Sequence, residues 1–185
     1  PSLSALAQAA KSGGAPAVLQ IFHAGNKAIP ELIPNGDVVS ASHLNTPTVA
    51  FHDSPVQSRA LSEAEISDVI RAFGETTRRA IEAGFDGVEL HGAHGFLIQN
   101  FFSPHYNQRQ DDWGGSLTHR MRFPLAVVEE VQSVIRKHAK RPFILGYRIS
   151  VEEYEENGLR IADSLQLIDR LIASNIDYLH VSLSD

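Results

Sequence analysis

Phe85-Asp86-Gly87-Val88-Glu89-Leu90-His91-Gly92-Ala93-His94-Gly95-Phe96 is the stretch on which both the fold and the site turn. Phe85 to Leu90 reads as a short apolar strand, buried, with Glu89 and His91 on one face by strand alternation. Just past its end, His91 and His94 stand three residues apart between glycines, so both rings can point at one bound oxygen. The segment before the strand carries a helical period: Ile66, Val69, Ile70, Phe73, Thr77, Ala80 and Ile81. Ser62-Glu63-Ala64-Glu65 opens it with capping-box spacing, and Gly84 suits a left-handed cap at its end.

Outward from this unit, the same alternation repeats. A helical stretch from Leu3 to Lys11 precedes a strand from Ala17 to Phe22. Residues 24–61 are rich in Pro, Gly, Asn and Ser with no helical period, the mark of a functional loop or of small hairpins. Ser116 is expected to cap a long helix to His138, bent at Pro124, which has no N–H to give. Phe143 to Ile149 is the third strand, Asp163 caps the next helix, and Asp177 to Leu183 is the fourth strand. Strands alternating with helices imply a parallel sheet covered by helices. Polar residues recur at the strand ends: Gln20 and His23, His91 and His94, Arg148 and Ser150, Ser182 and Ser184. Contributions from successive strands to one face favour a (β/α)8 barrel over a doubly wound sheet, which gathers its site at one switch point. A complete barrel takes about 250 residues, so a chain of 185 is expected to be an incomplete barrel of about four βα units forming a single domain.

Composition excludes several classes. A net charge of −6 argues against nucleic acid or an anionic membrane as partner. The chain has no Cys, so disulfides, thiolate metal sites and cysteine nucleophiles are excluded. No apolar run approaches the roughly 18 residues needed to cross a bilayer, and the first residues lack the blocks of a signal peptide. A cytoplasmic protein handling small molecules is the expectation.

A second, longer pattern follows the histidines: Asn107, Arg109, Asp111, Trp113, Gly114, Gly115, Ser116, Arg120, Arg122, Phe123 and Pro124. Together with His91-Gly92-Ala93-His94-Gly95-Phe96 it resembles the old yellow enzyme family of FMN-dependent ene-reductases, built on (β/α)8 barrels. The resemblance covers nearly the whole chain but only the middle of the family's barrel. His119 departs from it, standing where the family often has Asn. It implies an oxidoreductase in which NAD(P)H reduces FMN and hydride then passes to an α,β-unsaturated carbonyl or related electrophile. It assigns His91 and His94 to the oxyanion that develops on the carbonyl, where preorganised donors act. It assigns Gln20, in Leu19-Gln20-Ile21-Phe22-His23, to the flavin's pyrimidine edge, which an amide suits because it donates and accepts together. Arg148, in Gly146-Tyr147-Arg148-Ile149-Ser150, is assigned to the flavin's N1 and C2=O, where reduction gathers negative charge.

Plainer readings stand beside these. His91 and His94 can be core histidines, or metal ligands with His105, although Glu89 is the only nearby carboxylate. Gln20 can be a solvated strand-end amide, and Arg148 can pair with Glu89 inside the barrel. The Gly115-Ser116 amides can hold a phosphate, but two glycines are a weak signal. Phe96 breaks the pattern: the family places there a tyrosine that protonates the substrate, and a phenyl ring has no acidic proton. Tyr106 is an alternative donor by nearness in sequence alone. An amine dehydrogenase of similar sequence is a further option, against which the histidine pair argues because an amine has no oxyanion. Lastly, 185 residues forming half a barrel leave open strand edges, which invite a homo-oligomer and a non-catalytic segment without FMN.

Overall fold

The computed structural model describes residues 2–47 and 54–183; Ser184, expected at a strand end, lies outside them. In chain order the strands are β1 (Val18–Ile21), β2 (Val39–Ser40), β3 (Leu44–Thr46), β4 (Val56–Ala60), β5 (Gly87–Gly92), β6 (Ile144–Ser150) and β7 (Tyr178–Ser182). The helices are α1 (Leu3–Ala10), α2 (Glu63–Ala83), α3 (Leu97–Phe102), α4 (Leu117–Arg120), α5 (Arg122–His138) and α6 (Ile161–Ala173). β1, β5, β6 and β7 form one parallel sheet in that order. Each step along it crosses through helix, α2, then α5, then α6, as in consecutive units of a (β/α)8 barrel.

Local chemistry explains the elements. Ser62 Oγ accepts from the Glu65 N–H and the Glu65 carboxylate accepts from the Ser62 N–H, a reciprocal cap that starts α2. Gly84 ends it at φ 92°, a conformation that costs a side-chain-bearing residue. The apolar stripe of α2 (Ile66, Phe73, Ala80) packs with that of α5 (Phe123, Val127, Val131) over the outer face of the sheet. Phe123 stacks on Phe101 with centroids 4.1 Å apart, tying α5 to α3. The described residues of the 24–61 segment include three 3₁₀ turns and a small sheet in which β4 lies between β2 and β3.

Three expectations need correction. β5 runs to Gly92 rather than ending at Leu90, because the ladder with β6 continues through His91↔Arg148 and Gly92↔Ile149. His91 is therefore a strand residue. The helix after Ser116 does not bend at Pro124; it breaks at Met121 into α4 and α5. Pro124 then sits in the first turn of α5, where its missing N–H is no loss. Asp163 is not a cap: α6 begins at Ile161 after Arg160, which makes no side-chain cap bond, and Asp163 faces Arg120 at 3.6 Å. Among the described residues no helix is long and apolar enough to cross a membrane.

Candidate active site

Strand register places a row of polar side chains on the inner face of the parallel sheet. Gln20, Glu89, Gly146 and Tyr178 lie side by side across β1, β5, β6 and β7. His91, Arg148 and His180 form the next row, and Ser150 and Ser182 the one beyond. Alternation puts all of them on one face. Of the four residues predicted from sequence, Gln20, His91 and Arg148 lie on this face in adjacent rows, and His94, in the loop after β5, has its ring centroid 5.1 Å from that of His91.

The loop carrying His94 is held at every polar backbone atom that could loosen it. Its N–H donates to Ser150 Oγ at 3.1 Å, and its carbonyl accepts from Lys27 Nζ at 2.6 Å. Gly95 donates to Gln99 Oε1 and accepts from Asn100 Nδ2, both at 2.8 Å. This clamp offsets the strain of His94, whose φ of 58° is left-handed. Leu97 N–H donates to His23 O at 3.0 Å, tying the start of α3 to the end of β1.

A backbone hydrogen bond assigns the proton on the His91 imidazole. His91 Nδ1 accepts from the Ala93 N–H at 3.3 Å, so the ring carries its proton on Nε2. Ser182 Oγ accepts from Arg148 Nη2 at 3.0 Å and lies 2.7 Å from His94 Nε2. The direction of that contact follows the His94 tautomer, since a serine oxygen can accept twice or accept once and donate. His91 Nε2–H and His94 Nδ1 have no bond among the described residues, and the ring centroids are 5.1 Å apart. Burial, helped by the charges of His94 and Arg148, pushes His91 down to about 4; burial and the nearby cations also lower His94. Both rings are neutral at pH 7.

Arg148 is a half-buried cation with no carboxylate in ion-pair contact among the described residues. It bonds Ser182, and its Nε is buried with no partner among the described residues. The alternative pairing of Arg148 with Glu89 is not present. Glu89 Oε1 instead accepts from Gln20 Nε2 at 2.5 Å, and Oε2 from Tyr178 Oη at 2.9 Å and His180 Nδ1 at 3.1 Å. Burial would raise the Glu89 carboxyl, but these donors outweigh it and hold it below its ordinary value. Tyr178 reaches Glu89 only because position 146 is Gly: a Cβ there would sit 2.1 Å from Tyr178 Cζ. Ser182 was among the polar strand-end residues read from sequence; Tyr178, His180 and the loop-clamping Lys27, Gln99 and Asn100 were not. The pairing register identifies Tyr178 and His180; nothing in their local pattern does.

Phe96 packs edge-on against His91 with centroids 4.9 Å apart, and against Phe22 at 5.0 Å. Tyr106 lies with Lys27 and His94 in a cavity of about 250 Å³ beyond Gly95. Burial first, then Glu153 and Glu155, pushes its hydroxyl up to about 12. His105 packs edge-on against Tyr106 at 4.8 Å, and among the described residues no three His, Asp or Glu side chains gather as metal ligands would. Asn107 to Arg122 is structural scaffolding: Asn107 Nδ2 donates to the Phe101 and Trp113 carbonyls, Arg109 to those of Ala41 and Leu61, and Arg120 to those of Phe102 and Gly115.

Comparison with known proteins gives the same picture. A probable NADH-dependent flavin oxidoreductase of Bacillus subtilis, YqiG, is 50% identical over 185 residues, all of this chain and 48% of its own length. The NADH:acrylate oxidoreductase of Vibrio harveyi is 45% identical over 98% of the chain, which spans 18% of that protein. Histamine dehydrogenase from Rhizobium sp. 4-9 superposes with a TM-score of 0.84 at 32% identity, over 98% of this chain and 25% of its own. The chain thus spans about half the length of YqiG and smaller parts of the others. Residues 1–185 match one family throughout, and with relatives at this identity the conclusion is direct: the chain belongs to the NADH:flavin oxidoreductase / NADH oxidase family.

Proposed function

We propose that these 185 residues are a single domain, the middle of an FMN-binding barrel, whose parent protein uses NAD(P)H to reduce an α,β-unsaturated carbonyl or related electrophile. The observation that carries this reading is the pair of imidazoles 5.1 Å apart on a clamped loop and strand, His91 with Nε2–H and His94 with Nδ1 unengaged among the described residues; in this reading His94 carries its proton on Nδ1. Two such donors suit a carbonyl oxygen that gains charge as hydride arrives at the β-carbon. The residues also fit the flavin. A half-buried guanidinium with a buried, orphaned Nε and no carboxylate partner among the described residues suits a ring that becomes anionic on reduction. Gln20 is exposed, with one amide hydrogen on Glu89, which leaves an acceptor and a second donor for a pyrimidine edge. When bound, FMN would supply the hydride transfer that no side chain can perform.

Within this scheme His91 and His94 hold the carbonyl oxygen, Gln20 and Arg148 hold the ring, and Phe96 and Phe22 exclude water beside His91. Phe96 supplies no proton, so the α-carbon must take one from another donor or from water. In this scheme an amine substrate would leave the two donors without an oxygen to serve. The test is direct: full-length protein should purify yellow, bleach with NADH or NADPH under nitrogen, and regain colour with an enone. Bleached protein that ignores enones would remove the electrophile reading while leaving the flavin reading intact.

A second reading concerns the 185 residues expressed alone. β1 and β7 are open edges of the sheet, and Phe22 and Val181 beside them are 55% and 52% exposed. An isolated chain should therefore be colourless and self-associating. Stoichiometric FMN in a monomeric preparation would contradict this.

A further inference from the structure

We infer that Glu89 is a positioning residue that governs both flavin contacts: it orients the Gln20 amide and, because Tyr178 and His180 hold it, it leaves the Arg148 charge uncompensated. The inference rests on the flavin reading above and adds to it a residue that touches neither substrate nor cofactor.

The chemistry of the carboxylate sets the first effect. An ionised carboxylate only accepts hydrogen bonds, so the NH₂ end of Gln20 must face Glu89 and its oxygen must face away. Without that constraint an exposed glutamine amide rotates freely and presents either end with little preference. Glu89 thus decides which edge of the amide a ligand meets, and spares that ligand the cost of ordering it.

The second effect is electrostatic. Arg148 is adjacent along the inner face, since Glu89 pairs in register with Gly146, two residues before it. A half-buried cation beside a buried anion would ordinarily pair. Here both carboxylate oxygens are engaged, Oε2 by Tyr178 and His180 together. Gly146 makes this geometry accessible by giving the Tyr178 ring the space a Cβ would occupy. The result is a charged guanidinium whose only side-chain partner among the described residues is a neutral serine.

The two effects separate in two variants of the FMN-loaded full-length protein. Glu89→Gln removes the negative charge and frees the Gln20 amide. FMN should bind about tenfold more weakly, and the midpoint potential should rise by about 30 mV, the equivalent of tenfold for a two-electron couple. Tyr178→Phe keeps the charge but releases Oε2 toward Arg148, so the potential should fall by a similar amount. Opposite signs support the assignment; a structural role alone moves neither potential. Potentials that stay put, or shift together, overturn the inference while the flavin reading survives. A full-length protein that takes up no FMN overturns both.

Discussion

Removing His91 is the sharpest probe of the site. Its ring is 4% exposed, its Nδ1 accepts from Ala93, and its pKa is pushed down to about 4 by burial, with the neighbouring His94 and Arg148 charges adding to it. It is thus a neutral donor through Nε2 across the working range of pH. Loss of one preorganised oxyanion donor typically costs about 10²–10³ in rate. His91→Ala should slow reoxidation of the reduced full-length protein by an enone by that factor, and weaken binding of phenols, which mimic the enolate. Reduction by NAD(P)H is expected to change little. Stopped-flow measurement of the two half-reactions separates these effects. The pH dependence adds a check. The folded state holds His91 below its ordinary value of 6.5, so the stability it contributes is present above about 6.5 and is lost as pH falls toward about 4. Equal enone half-reactions in both proteins, or a His91 titration near 6.5 by NMR, would refute the reasoning.

Phe96→Tyr in the full-length protein places a hydroxyl beside His91 and should raise the enone half-reaction by about 10²-fold or more, with flavin reduction unchanged; equal rates would mean position 96 does not face the α-carbon. Gly146→Ala pushes a methyl into the Tyr178 ring, and overpacking of this kind costs about 1–3 kcal/mol; thermal melts should show the loss, together with weaker FMN retention. Ser62→Ala removes the α2 cap and should cost about 1 kcal/mol in urea denaturation with no change in FMN content. A wild-type midpoint in that variant would show that the capping box contributes nothing to stability.

Much of this protein is legible residue by residue. The helical period from Ile66 to Ile81, its capping box and its glycine stop describe α2 because those signals act within a few residues of chain. The alternation of short apolar runs with helices implied the parallel sheet for the same reason, and of the residues named from sequence Gln20, His91 and Arg148 share one face of it, with the His94 ring beside His91. Boundaries were less secure. β5 extends through His91 because a ladder with β6 continues there, and the helix after Ser116 breaks at Met121 rather than at Pro124.

What the chain could not reveal on its own is partnership across strands. Glu89 was as plausible a partner for Arg148 as for anything else, since both lie on the inner face. Only the register of β7, which sets Tyr178 and His180 opposite, and the absence of a Cβ at Gly146 decide that the carboxylate turns away. The clamp of Lys27, Ser150, Gln99 and Asn100 on the His94 turn is of the same kind. Helices and caps are local, and short-range chemistry specifies them. The protonation of two imidazoles and the freedom of one guanidinium depend on groups up to 91 residues apart in sequence, which only tertiary packing brings within bonding distance.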